Sequence, residues 1–412
     1  MTANARLLDL SRIISRAGKT LTGVDRVELA YLKALIAQDT PCFGLVKTSV
    51  GFILLDREGM RGIARRAEEE EPWGKADRLS RVFRKLDDSA RRGQSDARRL
   101  AMARTHRRGL GKMLARHLPE GSSYLNVGHS NLSDRVLHSV KHGAKARIAV
   151  MIHDAIPLDH PLYQTPVSVE RFRDILGRVR AMADLVIYNS QATRRAVEGH
   201  MRHMGDKIPQ GVVAHLGVDL PASTPGDLPK GLPPEGPYFV SVGTIEPRKN
   251  HALLIDIWER LVKQTPPQEM PHLVICGTRG WMNEEVFFRL DRSALMGEFV
   301  HEYADLSDGA VAALLEGASG ALYPSFAEGY GLPMIEAAAR GVPVVCAELP
   351  VFGELLKDYP IYASLKDSYL WQRRITSLAG IGRAKRADGP KRETPLTPPT
   401  WDDHFNVILK LT

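Results

Sequence analysis

The sequence predicts a doubly wound α/β protein of two domains, on three observations. At 412 residues the chain exceeds what one hydrophobic core usually organises. Short apolar runs rich in β-branched residues alternate with helical patterns over most of its length, as in a parallel sheet covered by helices. Residues 221–237, PASTPGDLPKGLPPEGP, hold six prolines and three glycines, cannot be regular structure and read as a linker.

In the first half, strands are expected near Leu7–Leu10, Cys42–Val46, Phe52–Leu55, Tyr124–Val127, Ile148–Ile152, Leu185–Tyr188 and Val212–Leu216. A helix should begin at Thr22, where Thr22 and Asp25 have capping-box spacing and Val24, Val27, Tyr31 and Leu35 continue an apolar stripe. Ser168 and Ser190 suit the starts of two more. After the linker a second series is expected: strands at Tyr238–Val242, His272–Cys276, Phe299–Tyr303, Gly320–Tyr323 and Val342–Cys346, with helices at His251–Val262, Gly309–Gly317 and Pro333–Arg340. Trp401–Leu411 looks helical, with residues 385–399 as the loop leading to it. The expected division is a first domain over 1–222, a linker over 223–235, a second domain over 236–390 and a terminal segment over 391–412.

Composition excludes several classes. Arg6, Asp9, Arg12, Arg16 and Lys19 interrupt any signal-peptide core, and no run approaches the ~18 apolar residues of a membrane span, so a cytoplasmic protein is expected. Cys42, Cys276 and Cys346 are odd in number, far apart and set in apolar runs, which fits small buried hydrophobes rather than disulfides or metal ligands. The net charge of +8 is local: residues 57–120 carry 15 arginines and 3 lysines against 10 carboxylates, an excess equal to that of the whole chain. A basic insertion on a neutral enzyme differs from a DNA-binding domain. Its Leu79, Val82, Phe83 and Leu86 have helical spacing, so either an amphipathic basic helix on anionic lipid or a solvated, partly disordered insertion is open.

The most informative stretch is YPSFAEGYGLPMIEAAARGVPVVCAE, residues 323–348. A strand ends at Tyr323, a loop carries Glu328, Gly329 and Gly331, and Pro333 suits the first helical position. A loop feeding a helix N-terminus offers free backbone N–H groups and a positive dipole, which suit a diphosphate. Glu328 and Glu336 then flank one ligand, the first towards a sugar and the second towards a ribose diol.

This stretch resembles the signature of the family 4 retaining glycosyltransferases, with Tyr330 where phenylalanine is more usual. A second resemblance lies in FVSVGTIEPRKNHALLIDIWERL, residues 239–261, where Arg248 and Lys249 stand on a loop and Asn250 can cap the following helix. The resemblance implies a GT-B fold, two Rossmann-like domains facing each other across a cleft, with the last helix crossing back to the first. It implies transfer with retention from a nucleotide-diphosphate sugar, GDP-mannose ahead of a UDP-sugar, to a glycan or lipid-linked acceptor, as in the mannosyltransferases of surface-polysaccharide assembly. No cofactor and no catalytic metal are implied. Arg248 and Lys249 would grip the diphosphate and stabilise the leaving group, and Glu328 would position the sugar. Gly329, Tyr330, Gly331, Leu332 and Glu336 would complete the donor site.

The first half matches in patches. MIHDAIPLDHP, residues 151–161, resembles the segment whose histidine faces the donor sugar, which nominates His153, with Asp154 available to orient it. LTGVDRVE supplies Gly23 where the family has a glycine-rich loop; Asn189-Ser190 and HLGVDLP resemble further landmarks, and CGTRGW makes Trp281 a candidate base contact. Two rivals remain. A nucleotide-sugar epimerase shares the architecture and needs no acceptor. A nucleic-acid-binding protein would use the basic segment, but that segment lacks aromatic interleaving, with only Trp73 and Phe83.

Overall fold

The computed structural model of the chain describes residues 3–83, 86–380 and 394–412. The expected end of the second domain at residue 390, and residues 385–393 of the expected loop, lie outside them. The chain divides into two compact units: Met1–Ala155 with Glu170–Gly217 and Thr400–Thr412, and Ile156–Val169 with Val218–Pro399. Although the sequence assigns residues 1–222 to the first domain throughout, residues 156–169 belong to the second unit.

The first unit holds β1 (Arg6–Asp9), β2 (Cys42–Lys47), β3 (Gly51–Leu55), β4 (Ala103–His106), β5 (Ser123–Asn126), β6 (Arg147–Ile152), β7 (Leu185–Tyr188) and β8 (Gln210–Val213). Their order in the sheet is β4-β3-β2-β1-β5-β6-β7-β8. The sheet is not wholly parallel, because β3 runs antiparallel to β2 and to β4. The segment joining β2 to β3 is too short for the crossover that parallel strands need, so it closes as a turn in which Thr48 N–H donates to Gly51 O at 2.7 Å.

The helix Gly23–Ala37 starts with the capping box that Thr22 and Asp25 predict. Asp25 is fully buried and holds Arg12 at 2.6 Å and Arg16 at 2.8 Å. The helix expected from Ser168 instead spans Pro166–Met182. The terminal helix Trp401–Ile408 belongs to this unit, and Arg6 donates to Leu409 O at 2.9 Å and Thr412 O at 2.8 Å.

Residues 57–83 and 86–120 are integral to the unit rather than a solvated insertion. They supply β4 and the helices Arg57–Ala67, Arg78–Val82, Asp88–Arg99 and Leu110–His117. Much of their positive charge is compensated inside the segment. Arg98 pairs with Asp77 at 2.7 Å, Arg66 with Glu71 at 2.8 Å and Arg65 with the same Glu71 at 2.6 Å. The expected amphipathic helix is only the five residues Arg78–Val82, with Leu79 and Val82 exposed.

The second unit holds β9 (Tyr238–Val242), β10 (His272–Cys276), β11 (Val300–Tyr303), β12 (Gly320–Tyr323), β13 (Val344–Cys346) and β14 (Ile361–Tyr362), all parallel, in the order β11-β10-β9-β12-β13-β14. Phe239, Trp258, Leu322 and Trp371 are fully buried in its core. Their indoles stay satisfied, Trp258 donating to Pro271 O at 2.9 Å and Trp371 to Ser364 O at 3.1 Å. The order runs outward from β9 on one side and from β12 on the other. Chain leaving these two strands therefore diverges, opening a crevice at their carboxyl ends, where ligands of open α/β sheets bind. All three cysteines are free and buried. Among the described residues no helix is long and apolar enough to cross a membrane.

Candidate active site

The crevice of the second unit is walled by the loops that follow β9 and β12, and two hydrogen bonds join them. Phe326 N–H donates to Arg248 O at 2.7 Å, and Arg248 Nη1 donates to Ala327 O at 2.9 Å. The first loop is Glu246, the 3₁₀ turn Pro247–Lys249, and Asn250. Asn250 does not cap the helix His251–Leu261 with its side chain; it supplies a left-handed residue, φ 56°, which asparagine tolerates better than most. That turn aims Arg248 and Lys249 together at the second loop.

There they meet Glu328. Arg248 Nη1 lies 2.8 Å from Glu328 Oε2, and Lys249 Nζ lies 2.6 Å from Oε1. Ser325 Oγ–H donates to the same Oε1 at 2.7 Å, and Arg248 Nη2 reaches back to Glu246 Oε1 at 2.7 Å. Neither cation sits on an exposed loop: the side chains of Arg248 and Lys249 are 18% and 11% exposed, those of Glu328 and Glu246 5% and 2%. Burial raises the Glu328 carboxyl, but the Lys249 ammonium and Arg248 guanidinium outweigh it and hold the carboxyl at about 2. For Glu246 burial wins, and its carboxyl stands above the usual range despite Arg248 and Lys249.

The helix Leu332–Ala339 opens beside this cluster, with Gly331 as its N-cap at φ 94°. A Cβ there would lie 2.9 Å from both Met334 Cε and Phe352 Cε1, so glycine is required by conformation and by space. Pro333 is the second helical residue, and Glu336 lies beyond the first turn, not within it, and is 8% exposed. Tyr330 is buried, which places its ring in the unit's interior.

The structure thus brings Arg248, Lys249, Glu328, Gly329, Tyr330, Gly331, Leu332 and Glu336 onto two adjoining loops and one helix start. Trp281 is 40% exposed, and its indole donates to Tyr163 O at 3.1 Å. Tyr163 in turn stacks on Phe326, with centroids 5.3 Å apart. Tyr163 carried no signal in the sequence. Glu246 and Ser325 carried one, since they flank the motifs as EPRK and PSFAE.

His153 and Gly23 belong to the first unit. Gly23 is the exposed first residue of its helix. His153 follows β6, is 7% exposed, and its Nε2–H donates to Val127 O at 2.6 Å. Burial outweighs that bond and lowers the imidazole to about 4, so the ring is neutral. Among the described residues no group of three or more His, Cys, Asp or Glu side chains is placed to hold a metal ion.

Comparison with known proteins agrees with this geometry. Residues 228–373, which contain the whole cluster, match the family model of the glycosyl transferases group 1. The chain is 29% identical over 236 residues to the serotype-specific mannosyltransferase WbdA of Escherichia coli, covering 54% of this chain and 28% of that protein. It is 27% identical over 256 residues to the O-antigen chain mannosyltransferase B of Escherichia coli, covering 58% and 66%. The chain therefore spans less than two thirds of the length of these relatives. Anabaena HepE, solved in complex with UDP-glucose, superposes with a TM-score of 0.59 at 15% identity, covering 90% of this chain and 89% of that one. Residues 228–373 are thus similar to the glycosyl transferases group 1, and the chain has the GT-B fold.

Proposed function

We propose that this protein transfers a sugar, with retention and without a metal, from a nucleotide-diphosphate sugar to a glycan or lipid-linked acceptor of surface polysaccharide. The carrying observation is the pair Arg248 and Lys249, held beside the glycine-capped start of a helix at the point where the strand order diverges. Breaking the bond from sugar to phosphate leaves charge on a diphosphate. Fixed cations and helix N–H groups at that place stabilise the transition state more than the bound donor. Glu328 serves the sugar side and balances the two cations until the donor arrives. Mannose linked to GDP is the donor of choice, because both curated relatives are mannosyltransferases. The same relatives disfavour an epimerase.

Two carboxylate substitutions test the orientation of the donor. Glu336→Ala is expected to weaken GDP binding about tenfold by removing the ribose contact, a loss of about 1.4 kcal/mol. Glu328→Ala should leave GDP affinity within about threefold and impair transfer. Calorimetry with GDP and a turnover assay check both, and the opposite pattern would mean that the ends of the donor are exchanged.

A second observation favours contact with an anionic membrane surface on the cytoplasmic side. A cleft of about 410 Å³ in the first unit is lined by Lys75, Ala76, Arg81, Asp88, Arg91 and Arg92, close in sequence to the exposed Leu79 and Val82. Cations beside exposed apolar residues suit a lipid surface, each cation contributing about 1 kcal/mol. Vesicles containing phosphatidylserine should sediment the protein in a salt-sensitive way, and Lys75→Glu with Arg81→Glu should abolish this. Equal sedimentation by wild type and variant would dismiss the membrane role alone.

A further inference from the structure

Four charged side chains form a neutral group in the second unit: Arg248 and Lys249 against Glu246 and Glu328. The two carboxylates are unequal. Glu328 has both oxygens engaged, by Arg248, Lys249 and Ser325. Glu246 has one oxygen on Arg248, while its Oε2 is buried with no hydrogen-bond partner. A buried carboxylate with an unmatched oxygen is the weaker anion, because nothing replaces the water it has lost.

A nucleotide-sugar brings a diphosphate diester with two fixed negative charges. Placed on Arg248 and Lys249, it turns a neutral group into one of net charge about −2 in a site largely shut from water, where like charges oppose ionisation. We infer that Glu246 takes up a proton from solvent when the donor binds, so that it acts as a proton-linked positioning residue: its neutral carboxyl keeps Arg248 in place while releasing the guanidinium charge to the diphosphate. This rests on the reading of Arg248 and Lys249 as the diphosphate clamp.

The groups facing Glu246 agree. On its own loop Arg248 and Lys249 favour the anion, and from the loop after β12 Glu328 opposes it. From the loop after β10, the backbone of Gly280 approaches; a Cβ there would lie 3.4 Å from Glu246 Cβ. The charged Arg279 of that loop is occupied by Asp291 and Glu302, both at 2.7 Å. His251, at the start of the next helix, is buried and neutral, lowered to about 3 by burial and by Lys249. Of the two carboxylates, burial already raises Glu246, whereas Glu328 is held at about 2. The added negative charge therefore protonates Glu246 first.

The test is calorimetric titration of the whole protein with GDP-mannose and with UDP-glucose, neither of which has a titratable group near neutrality. Each is run at pH 7 in phosphate and in Tris, whose ionisation heats differ. For the wild type, the difference should report uptake of about half to one proton per donor bound, and affinity should fall as pH rises from 6 to 8, with a slope approaching tenfold per unit. Glu246→Gln keeps an acceptor for Arg248 and should bind the donor with no proton uptake and a flat pH profile. Binding by the wild type with no buffer dependence would overturn the inference and leave the clamp reading standing, and so would uptake unchanged in Glu246→Gln. Failure of both nucleotide-sugars to bind the wild type would overturn the inference and the clamp reading together. Absence of uptake in the wild type overturns the inference even where the variant does not fold.

Discussion

Arg248→Ala and Lys249→Ala should each lower turnover about a hundredfold at saturating donor. Each removes one preorganised charge from the leaving diphosphate, a loss on the order of 3 kcal/mol in the transition state. The surroundings add a second effect that an exposed loop would not show. Glu328 and Glu246 are 5% and 2% exposed, so loss of a cation leaves buried negative charge uncompensated. Breaking a buried pair from one side costs about 3–5 kcal/mol. Both variants should therefore melt several degrees below wild type, and activity must be normalised to folded protein by circular dichroism. Near-normal turnover per folded molecule in both variants would falsify the assignment of these residues to the leaving group.

Mild acid should destabilise the protein strongly, through buried histidines rather than carboxylates. His153, His251 and His404 are 7%, 2% and 1% exposed. Burial lowers them to about 4, 3 and 4 respectively. His404 lies between Tyr31 Oη at 2.8 Å and His215 O at 3.0 Å, and its burial away from water is what disfavours the charged ring. In the unfolded chain these rings bind protons near pH 6.5. Between there and their folded values the unfolded state holds more protons, so the stability is fully present above 6.5 and lost as pH falls towards 4. At pH 5 each ring accounts for about 2 kcal/mol of that loss. The melting temperature should drop by about 10 °C or more between pH 7 and pH 5. His404→Gln should reduce that slope. Melting curves that coincide at the two pH values would show that these rings are solvated.

How much of this was legible in the sequence depended on whether partners were neighbours in the chain. Glu328, Gly331 and Glu336 share one strand-loop-helix segment, and Arg248 and Lys249 are adjacent, so their chemistry could be read from spacing. Glu246 stands beside the same motif, but its spacing alone does not say that it is buried. Only the fold shows that one of its oxygens is buried without a partner. The arginine-rich residues 57–120 misled for the same reason. Arg98 and Asp77 are 21 positions apart, and no local pattern announces that one neutralises the other. β4, the edge strand Ala103–His106, hides because its ARTH sequence is polar and alternates only between half-buried and exposed positions. The short β2–β3 connection, by contrast, was visible as a gap too small for a crossover and should have argued against a wholly parallel sheet.

The central claim is that Arg248 and Lys249 exist to hold a diphosphate, and comparing affinities for GDP, GMP and guanosine tests it most directly. Calorimetry on the wild type should show GDP binding at least about tenfold more tightly than GMP, because the second phosphate gains charge-assisted bonds worth about 1.5 kcal/mol or more. In Arg248→Ala and in Lys249→Ala that preference should shrink to about threefold or less, while guanosine binding stays unchanged. Equal affinity of the wild type for GDP and GMP, or a preference that survives both substitutions, would contradict the account.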